Sequence, residues 1–103
     1  MSDKVAVIAR ISVRPEAAAE AEAVLRGLVD AATAEDGAVE YVLNQEADGT
    51  SFWFYEVYAD QEAFDAHGQN PALHAAFGAL AGLLAEPPEV HLLTPLQAKH
   101  LSV

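Results

Sequence analysis

Short apolar segments bounded by turn residues predict four β-strands along this chain. Residues 5–13 read VAVIARISV and are rich in the β-branched side chains that strands favour. Alternate positions place apolar side chains on one face, which we expect to pack on helices, and a mixed set on the other. The remaining strands are predicted over residues 38–46, 51–59 and 89–94. The turn signal Ala47-Asp48-Gly49-Thr50 joins the middle two strands into a β-hairpin.

Longer segments with apolar residues at helical spacing predict three helices. The first spans about residues 16–35. Its apolar stripe consists of Ala21, Val24, Leu25, Leu28, Val29 and Ala32. Asp60 is placed to cap a short helix over residues 61–67. The third helix begins at Asn70-Pro71, a cap followed by a proline, and runs to about Ala85.

The predicted order of elements is β-α-β-β-α-β. It indicates an α+β fold of the ferredoxin-like type, in which one four-stranded antiparallel sheet carries helices on one face. A chain of 103 residues has the length of one domain, residues 1–103. The third strand is aromatic on both faces, so the sheet face without helices also needs a cover. A homodimer with its two sheets packed together supplies that cover, and we expect the tail over residues 95–103 to dock on the partner chain.

Charge and composition narrow the classes of partner. Sixteen acidic residues face five basic ones, a net charge of −11, so no basic stripe is present for nucleic acid, and we expect no binding to anionic membranes. No window approaches the roughly 18 apolar residues of a membrane span, and the N-terminus lacks the layout of a signal peptide. The absence of cysteine excludes disulfides and thiolate metal sites. These features predict a cytoplasmic protein with a neutral or weakly polar ligand.

Four stretches, taken in their order and spacing, resemble the antibiotic biosynthesis monooxygenase (ABM) family. The family's opening strand and proline-led helix start resemble VIARISVRPE, and its helix end, glycine and second strand resemble AEDGAVEYVL. Its most distinctive segment resembles FWFYEVYADQEAFDAHGQNPALHAAF, where an aromatic strand ends in Glu-x-aromatic and a short helix ends in His. Its closing strand resembles AEPPEVHLL. The resemblance covers nearly the whole chain.

This resemblance implies a dimeric α+β barrel with a cavity between sheet and helices. It also implies an activity, because some ABM proteins oxygenate quinol-like or anthrone-like compounds without metal, flavin or haem. The phenolate of the substrate then supplies the electrons to O2, and the protein deprotonates, orients and shields it. We therefore expect a small aromatic substrate, O2 as co-substrate and no cofactor.

Three residues are candidates for the catalytic groups. His67 stands where the family motif also has His, and an imidazole can take a phenol proton at neutral pH. The alternative is a structural contact with the dipole and last carbonyls of its helix. Glu56 lies within an aromatic strand, where a carboxylate needs a partner or a raised pKa. It is expected to orient His67 or bind a substrate hydroxyl, with a purely structural bond to Arg10 or the backbone as the alternative. Tyr58 shares its face and adds a hydroxyl where several family members carry Trp.

A second group is expected to bind the substrate. Its members are Phe52, Phe54, Asn44, His74 and Phe77. Tyr41 and Asn44 lie on opposite faces of the second strand, so at most one of them faces the cavity. A two-His-one-carboxylate metal site of His67, His74 and Glu56 is not expected, because the spacing of the two histidines crosses a helix break.

Three functions follow from these residues. The favoured one is a cofactor-independent monooxygenase of a small quinol-like or anthrone-like aromatic, with His67 as the base. The first alternative is an isomerase of small carbonyl compounds, which would use the same His and Glu to shuttle protons. The second alternative is a dimeric small-molecule-binding protein without chemistry.

Overall fold

The computed structural model describes residues 3–103 and contains four strands and three α-helices. In chain order these are β1 (Val5–Ser12), α1 (Ala18–Ala32), β2 (Ala38–Gln45), β3 (Ser51–Tyr58), α2 (Gln61–Gly68), α3 (Pro71–Leu80) and β4 (Glu89–Leu93), with a short 3-10 helix at Pro15–Ala17 before α1. The strands form one antiparallel sheet in the order β2-β3-β1-β4. The predicted ferredoxin-like α+β fold is therefore confirmed.

The hydrophobic core lies between the helices and one face of the sheet, the inner face. From β1 it takes Ile11, which is 1% exposed, and from β3 it takes Phe52, also 1% exposed. From α1 it takes Leu25 and Leu28, two members of the predicted apolar stripe. Both patterns seen in the sequence, the strand alternation and the helical stripe, thus point at the same core.

The third helix is shorter than predicted: it ends at Leu80, not near Ala85. The chain after it turns and pairs with the end of β1, where Leu84 forms a bridge with Val13. The Arg14 amide donates to the Leu83 carbonyl at 3.0 Å, and the Ala85 amide donates to the Ser12 carbonyl at 2.9 Å. These contacts with a distant strand replace the helical hydrogen bonds that residues 81–85 would otherwise form.

The β2–β3 hairpin turn is built as its sequence predicts. Asp48 Oδ1 accepts hydrogen bonds from the amides of Thr50 and Ser51 at 2.9 and 3.0 Å. Gly49 adopts a φ of 78°, a left-handed conformation that favours glycine. The hydrogen bonds from Thr50 and Ser51 also lower the pKa of the Asp48 carboxyl, so it stays ionised in the turn.

The opposite sheet face, the outer face, carries both an ion-pair network and exposed apolar side chains. Arg10 Nη1 lies 2.5 Å from Glu86 Oε1, and the guanidinium carbon lies 6.0 Å from the centre of the Trp53 ring. Arg10 is therefore not the partner of Glu56, which points to the inner face. Val42, Tyr55 and Leu93 are between 38% and 45% exposed.

The chain beyond β4 returns toward β2, where His100 Nε2 lies 2.6 Å from Glu40 Oε1. No helix within residues 3–103 is long and apolar enough to cross a membrane.

Candidate active site

A cavity of about 190 Å³ lies between the inner face of the sheet and the helices. Apolar side chains form most of its wall. They include Val7, Ala9, Ile11, Leu25, Leu28, Phe54, Phe64, Leu73, Phe77 and Val90. Three polar side chains also line it, those of Tyr41, Glu56 and His67. An apolar cavity with a few convergent polar groups is the usual form of a small-molecule site.

Glu56 and Tyr58 form a hydrogen-bonded pair on the inner face of β3. Glu56 is 6% exposed, and the Tyr58 hydroxyl donates to its Oε1 at 2.6 Å. Burial raises the pKa of the Glu56 carboxyl, and the hydrogen bond from Tyr58 offsets part of this effect. Burial also raises the pKa of the Tyr58 hydroxyl, which therefore keeps its proton and remains a donor.

His67 occupies the last turn of α2, a helix whose start is capped by the Asp60 side chain. Its imidazole is 6% exposed and packs against two tyrosine rings, with centroid distances of 5.4 Å to Tyr41 and 5.1 Å to Tyr58. Nε2 lies 4.0 Å from Glu56 Oε1. This distance is too long for a hydrogen bond, and a ligand hydroxyl can bridge the two atoms.

Glu35 contacts the other ring nitrogen of His67. Its Oε2 and Oε1 lie 2.9 and 3.1 Å from His67 Nδ1, and Asn70 Nδ2 donates to Oε1 at 2.8 Å. The loop between α1 and β2 places Glu35 there because Gly37 passes so close to Ala63 of α2 that a Cβ on Gly37 would lie 2.4 Å from the Ala63 Cβ. Sequence reasoning missed both Glu35 and this role of Asn70. The one available signal was Gly37, two residues after Glu35, in a segment that the fold brings against α2.

The predicted site residues separate into two groups in the structure. His67, Glu56, Phe54 and Phe77 all line the cavity, and Tyr58 supports it through Glu56. The rest of the predicted set lies outside its lining: Phe52 is buried in the core, Asn44 donates to the Trp53 carbonyl at 3.2 Å, and His74 is exposed with Nε2 2.9 Å from the Gly68 carbonyl oxygen.

The choice between Tyr41 and Asn44 is settled by the strand register. Tyr41 is paired with Glu56 and faces the cavity, and Asn44 is paired with Trp53 of the outer face. Burial raises the pKa of the Tyr41 hydroxyl, with the nearby Glu56 and Glu35 carboxylates adding to this effect. Across residues 3–103, no three His, Cys, Asp or Glu side chains come together in a group that would hold a metal ion.

Comparison with known proteins identifies relatives of this chain. The family model described as antibiotic biosynthesis monooxygenase matches residues 4–79. Rv0793 of Mycobacterium tuberculosis is 35% identical over 96 residues, which cover 93% of this chain and 95% of that protein. Its solved structure superposes with a TM-score of 0.87 over 92% of this chain and 97% of that one.

Two further solved structures are also similar. PA3566 of Pseudomonas aeruginosa is 28% identical, with a TM-score of 0.86 over 94% of this chain and 98% of that one. SnoaB of Streptomyces nogalater, described as a cofactor-independent oxygenase, is 27% identical, with a TM-score of 0.82 over 97% of this chain and all of that one.

Proposed function

The chain belongs to the antibiotic biosynthesis monooxygenase family, and on this basis we propose that it is a cofactor-independent monooxygenase of a small quinol-like aromatic. One observation carries the proposal. In a largely apolar cavity, His67 presents Nε2 toward Glu56 across a 4.0 Å gap that suits a substrate hydroxyl. The description of SnoaB as a cofactor-independent oxygenase supports the same chemistry.

In the proposed reaction, His67 Nε2 takes the proton of one phenol hydroxyl. The resulting phenolate passes an electron to O2, and the two radicals combine to form a C–O bond and a peroxide. The imidazolium returns its proton as the O–O bond breaks. One oxygen atom stays on the ring as a carbonyl oxygen, and the other leaves as water, which takes its second proton from the carbon that was oxygenated. The ring supplies all four electrons, two through oxygenation of a C–H bond and two as quinol becomes quinone.

Glu56 and Tyr58 have a separate task in this scheme. Because burial raises the pKa of the Glu56 carboxyl, its protonated form persists to higher pH than that of an exposed glutamate. Glu56 can then donate to or accept from a substrate hydroxyl while the Tyr58 hydroxyl fixes its orientation. The apolar wall excludes water from the phenolate and the peroxide.

The cavity volume favours a substrate with one ring. An engineered apolar cavity of about 150 Å³ holds benzene, and the present cavity of about 190 Å³ is slightly larger. A three-ring anthrone would extend beyond this volume. A substituent on the ring can leave the cavity past Phe77 and Val90, which line it and are 39% and 55% exposed.

Oxygen uptake with single-ring and multi-ring quinols, measured in the presence of a chelator, tests this function. We expect uptake with single-ring quinols that persists under chelation and falls about a hundredfold or more in His67→Ala, the range of a lost general base. His100→Ala removes an imidazole from the C-terminal tail and serves as the matched control. The absence of uptake across the panel would overturn the proposal.

A proton-shuttling isomerase is the second candidate. The observation that favours it is the pairing of two proton-transfer groups, His67 and Glu56, 4.0 Å apart in one cavity. Isomerisation of small carbonyl compounds would proceed without oxygen. Turnover of such compounds in an anaerobic cell, together with no oxygen uptake on quinols, would favour this function over the first.

We also propose that the protein is a homodimer assembled through the outer face of its sheet. Val42, Tyr55 and Leu93 are large apolar side chains that stay exposed on this face, which carries no helices. Light scattering after size exclusion should give twice the 10.9 kDa of one chain. Val42→Lys should yield monomers, and Ala19→Lys, the same charge change at an exposed site on α1, should not. A monomeric wild type would contradict the proposal.

A further inference from the structure

Glu35 fixes which nitrogen of His67 carries the hydrogen. Both of its carboxylate oxygens lie within 3.1 Å of Nδ1. A carboxylate only accepts hydrogen bonds, so Nδ1 must be the nitrogen that donates. In the neutral imidazole, Nε2 is then left without a hydrogen, on the side that faces Glu56 and the cavity.

Asn70 fixes the orientation of Glu35 in turn. Its Oδ1 accepts from the Ala72 amide at 2.9 Å and thereby caps α3. Since the amide oxygen is held by the helix, the amide nitrogen points to Glu35 Oε1, 2.8 Å away. The start of α3, the loop after α1 and the end of α2 are thus linked through these three side chains.

We propose that Glu35, held by Asn70, is the positioning residue that makes Nε2 the proton-accepting atom of His67 and stabilises the imidazolium formed during the reaction. This inference rests on the proposed function, in which His67 is the base. Glu35 does not line the cavity, so it acts on substrate only through His67. A carboxylate that orients a histidine in this way is a general device of acid–base sites.

Substitutions that exchange hydrogen-bond donors and acceptors at Glu35 and Asn70 test this inference. In Glu35→Gln, the Asn70 amide nitrogen would bind the new amide oxygen, and the new NH2 group would turn toward Nδ1. Nδ1 then becomes an acceptor, and the hydrogen moves to Nε2. Adding Asn70→Asp should reverse this effect: the new carboxylate keeps the cap of α3 and accepts from the NH2 group, so the amide oxygen faces Nδ1 again. The double variant also keeps the total charge of the pair.

Two readouts separate this inference from the proposed function. The first is ¹⁵N NMR of His67, identified by its loss in His67→Ala, which shows the protonated nitrogen without any substrate. We expect hydrogen on Nδ1 in the wild type, on Nε2 in Glu35→Gln, and on Nδ1 again in the double variant. The second is oxygen uptake, where kcat should fall about a hundredfold in Glu35→Gln and recover by at least tenfold in the double variant.

Two further variants test whether these effects are specific to the contacts of Glu35. Asp36→Asn removes the adjacent exposed carboxylate and should change neither readout. Asn70→Ser retains a capping oxygen but not the donor to Glu35; it should leave hydrogen on Nδ1 and lower kcat with little change in KM. It also tests the inference if Glu35→Gln does not fold. Hydrogen remaining on Nδ1 in Glu35→Gln would overturn the role of Glu35, and unchanged kcat in Asn70→Ser would overturn the part of the proposal in which Asn70 holds Glu35. Absence of uptake in the wild type would instead overturn the proposed function, while the NMR result still stands.

Discussion

The Tyr58 hydroxyl donates to Glu56 Oε1 at 2.6 Å, although both residues belong to one strand and lie only two positions apart. Their side chains share the inner face, where neither reaches bulk water. The strand itself thus supplies a hydrogen bond to this buried carboxyl. A carboxyl stabilised in this way depends on pH differently from one in an ion pair.

Glu56 should make the protein less stable as pH rises. Its folded-state pKa lies above the ordinary value of 4.5, so its contribution to stability is fully present below pH 4.5 and is lost as pH rises through the folded-state pKa. Glu56→Gln has no such titration. Chemical unfolding of both proteins between pH 4 and 8 should therefore show Glu56→Gln gaining stability relative to wild type toward higher pH. A difference that does not vary with pH would contradict this prediction.

Tyr41 and Tyr58 should not ionise until the protein unfolds in alkali. Burial raises the pKa of both hydroxyls well above that of a free tyrosine. Their stabilising effect is present below the unfolded value of about 10 and is lost above it. Tyrosinate absorbance and circular dichroism, recorded on the same samples, should show these two groups appearing with unfolding. Tyr41→Phe and Tyr58→Phe should each remove about half of that absorbance step. A step that precedes unfolding and is lost in either variant would argue against the prediction.

Alanine should have opposite effects at two glycines. A Cβ on Gly37 would lie 2.4 Å from the Ala63 Cβ, so Gly37→Ala should cost about 1–3 kcal/mol through overpacking. Gly27, inside α1, has no atom within 4 Å of such a Cβ, so Gly27→Ala should stabilise by about 0.5–1 kcal/mol. Urea unfolding measures both changes. Ala63→Gly should destabilise the Gly37→Ala variant less than it destabilises the wild type, because it also removes the clash. Equal costs in the two backgrounds would exclude this contact as the cause.

Phe77 should set the size of ligand that the cavity accepts. It lines the cavity and is 39% exposed, so Phe77→Ala enlarges the cavity at a point that opens to solvent. Calorimetry with phenol and 2-naphthol, which are single-ring and two-ring probes, should show preference for phenol in the wild type and a shift of about tenfold toward naphthol in the variant. Leu83→Ala, which lies outside the cavity lining, is the control. An unchanged preference in Phe77→Ala would count against this site.

Local patterns were sufficient to predict most of the fold. The alternation in β1 and the stripe in α1 each identify a buried face, because periods of two and 3.6 residues are set by backbone geometry alone. The end of α3 was not predictable in this way. Leu83 and Leu84 continue the apolar stripe of the helix, and only their pairing with the far end of β1 shows that the helix has already ended.

The candidate site, too, was predictable from the sequence only in part. Glu56 and Tyr58 share a face by strand periodicity, so the sequence indicated their proximity. Glu35 lies 32 residues before His67, and nothing near it in the sequence indicates a contact. Their meeting depends on the close approach of the α1–β2 loop to α2, which is tertiary packing. Tyr41 and Asn44 were distinguishable only once the register of β2 against β3 was known.

The chain contains a single tryptophan, Trp53, which lies on the outer face beside Arg10 and bonds the Glu46 carboxylate through its indole N–H. The protein therefore carries one indole fluorophore, which can be excited apart from the three tyrosines, on the side of the sheet that faces away from the cavity. The wavelength of its emission reports the polarity around that face. Dilution through a dimer–monomer transition should shift the emission maximum to the red, and filling the cavity should leave its position unchanged. Assembly and ligand binding are thus distinguishable by fluorescence without a label.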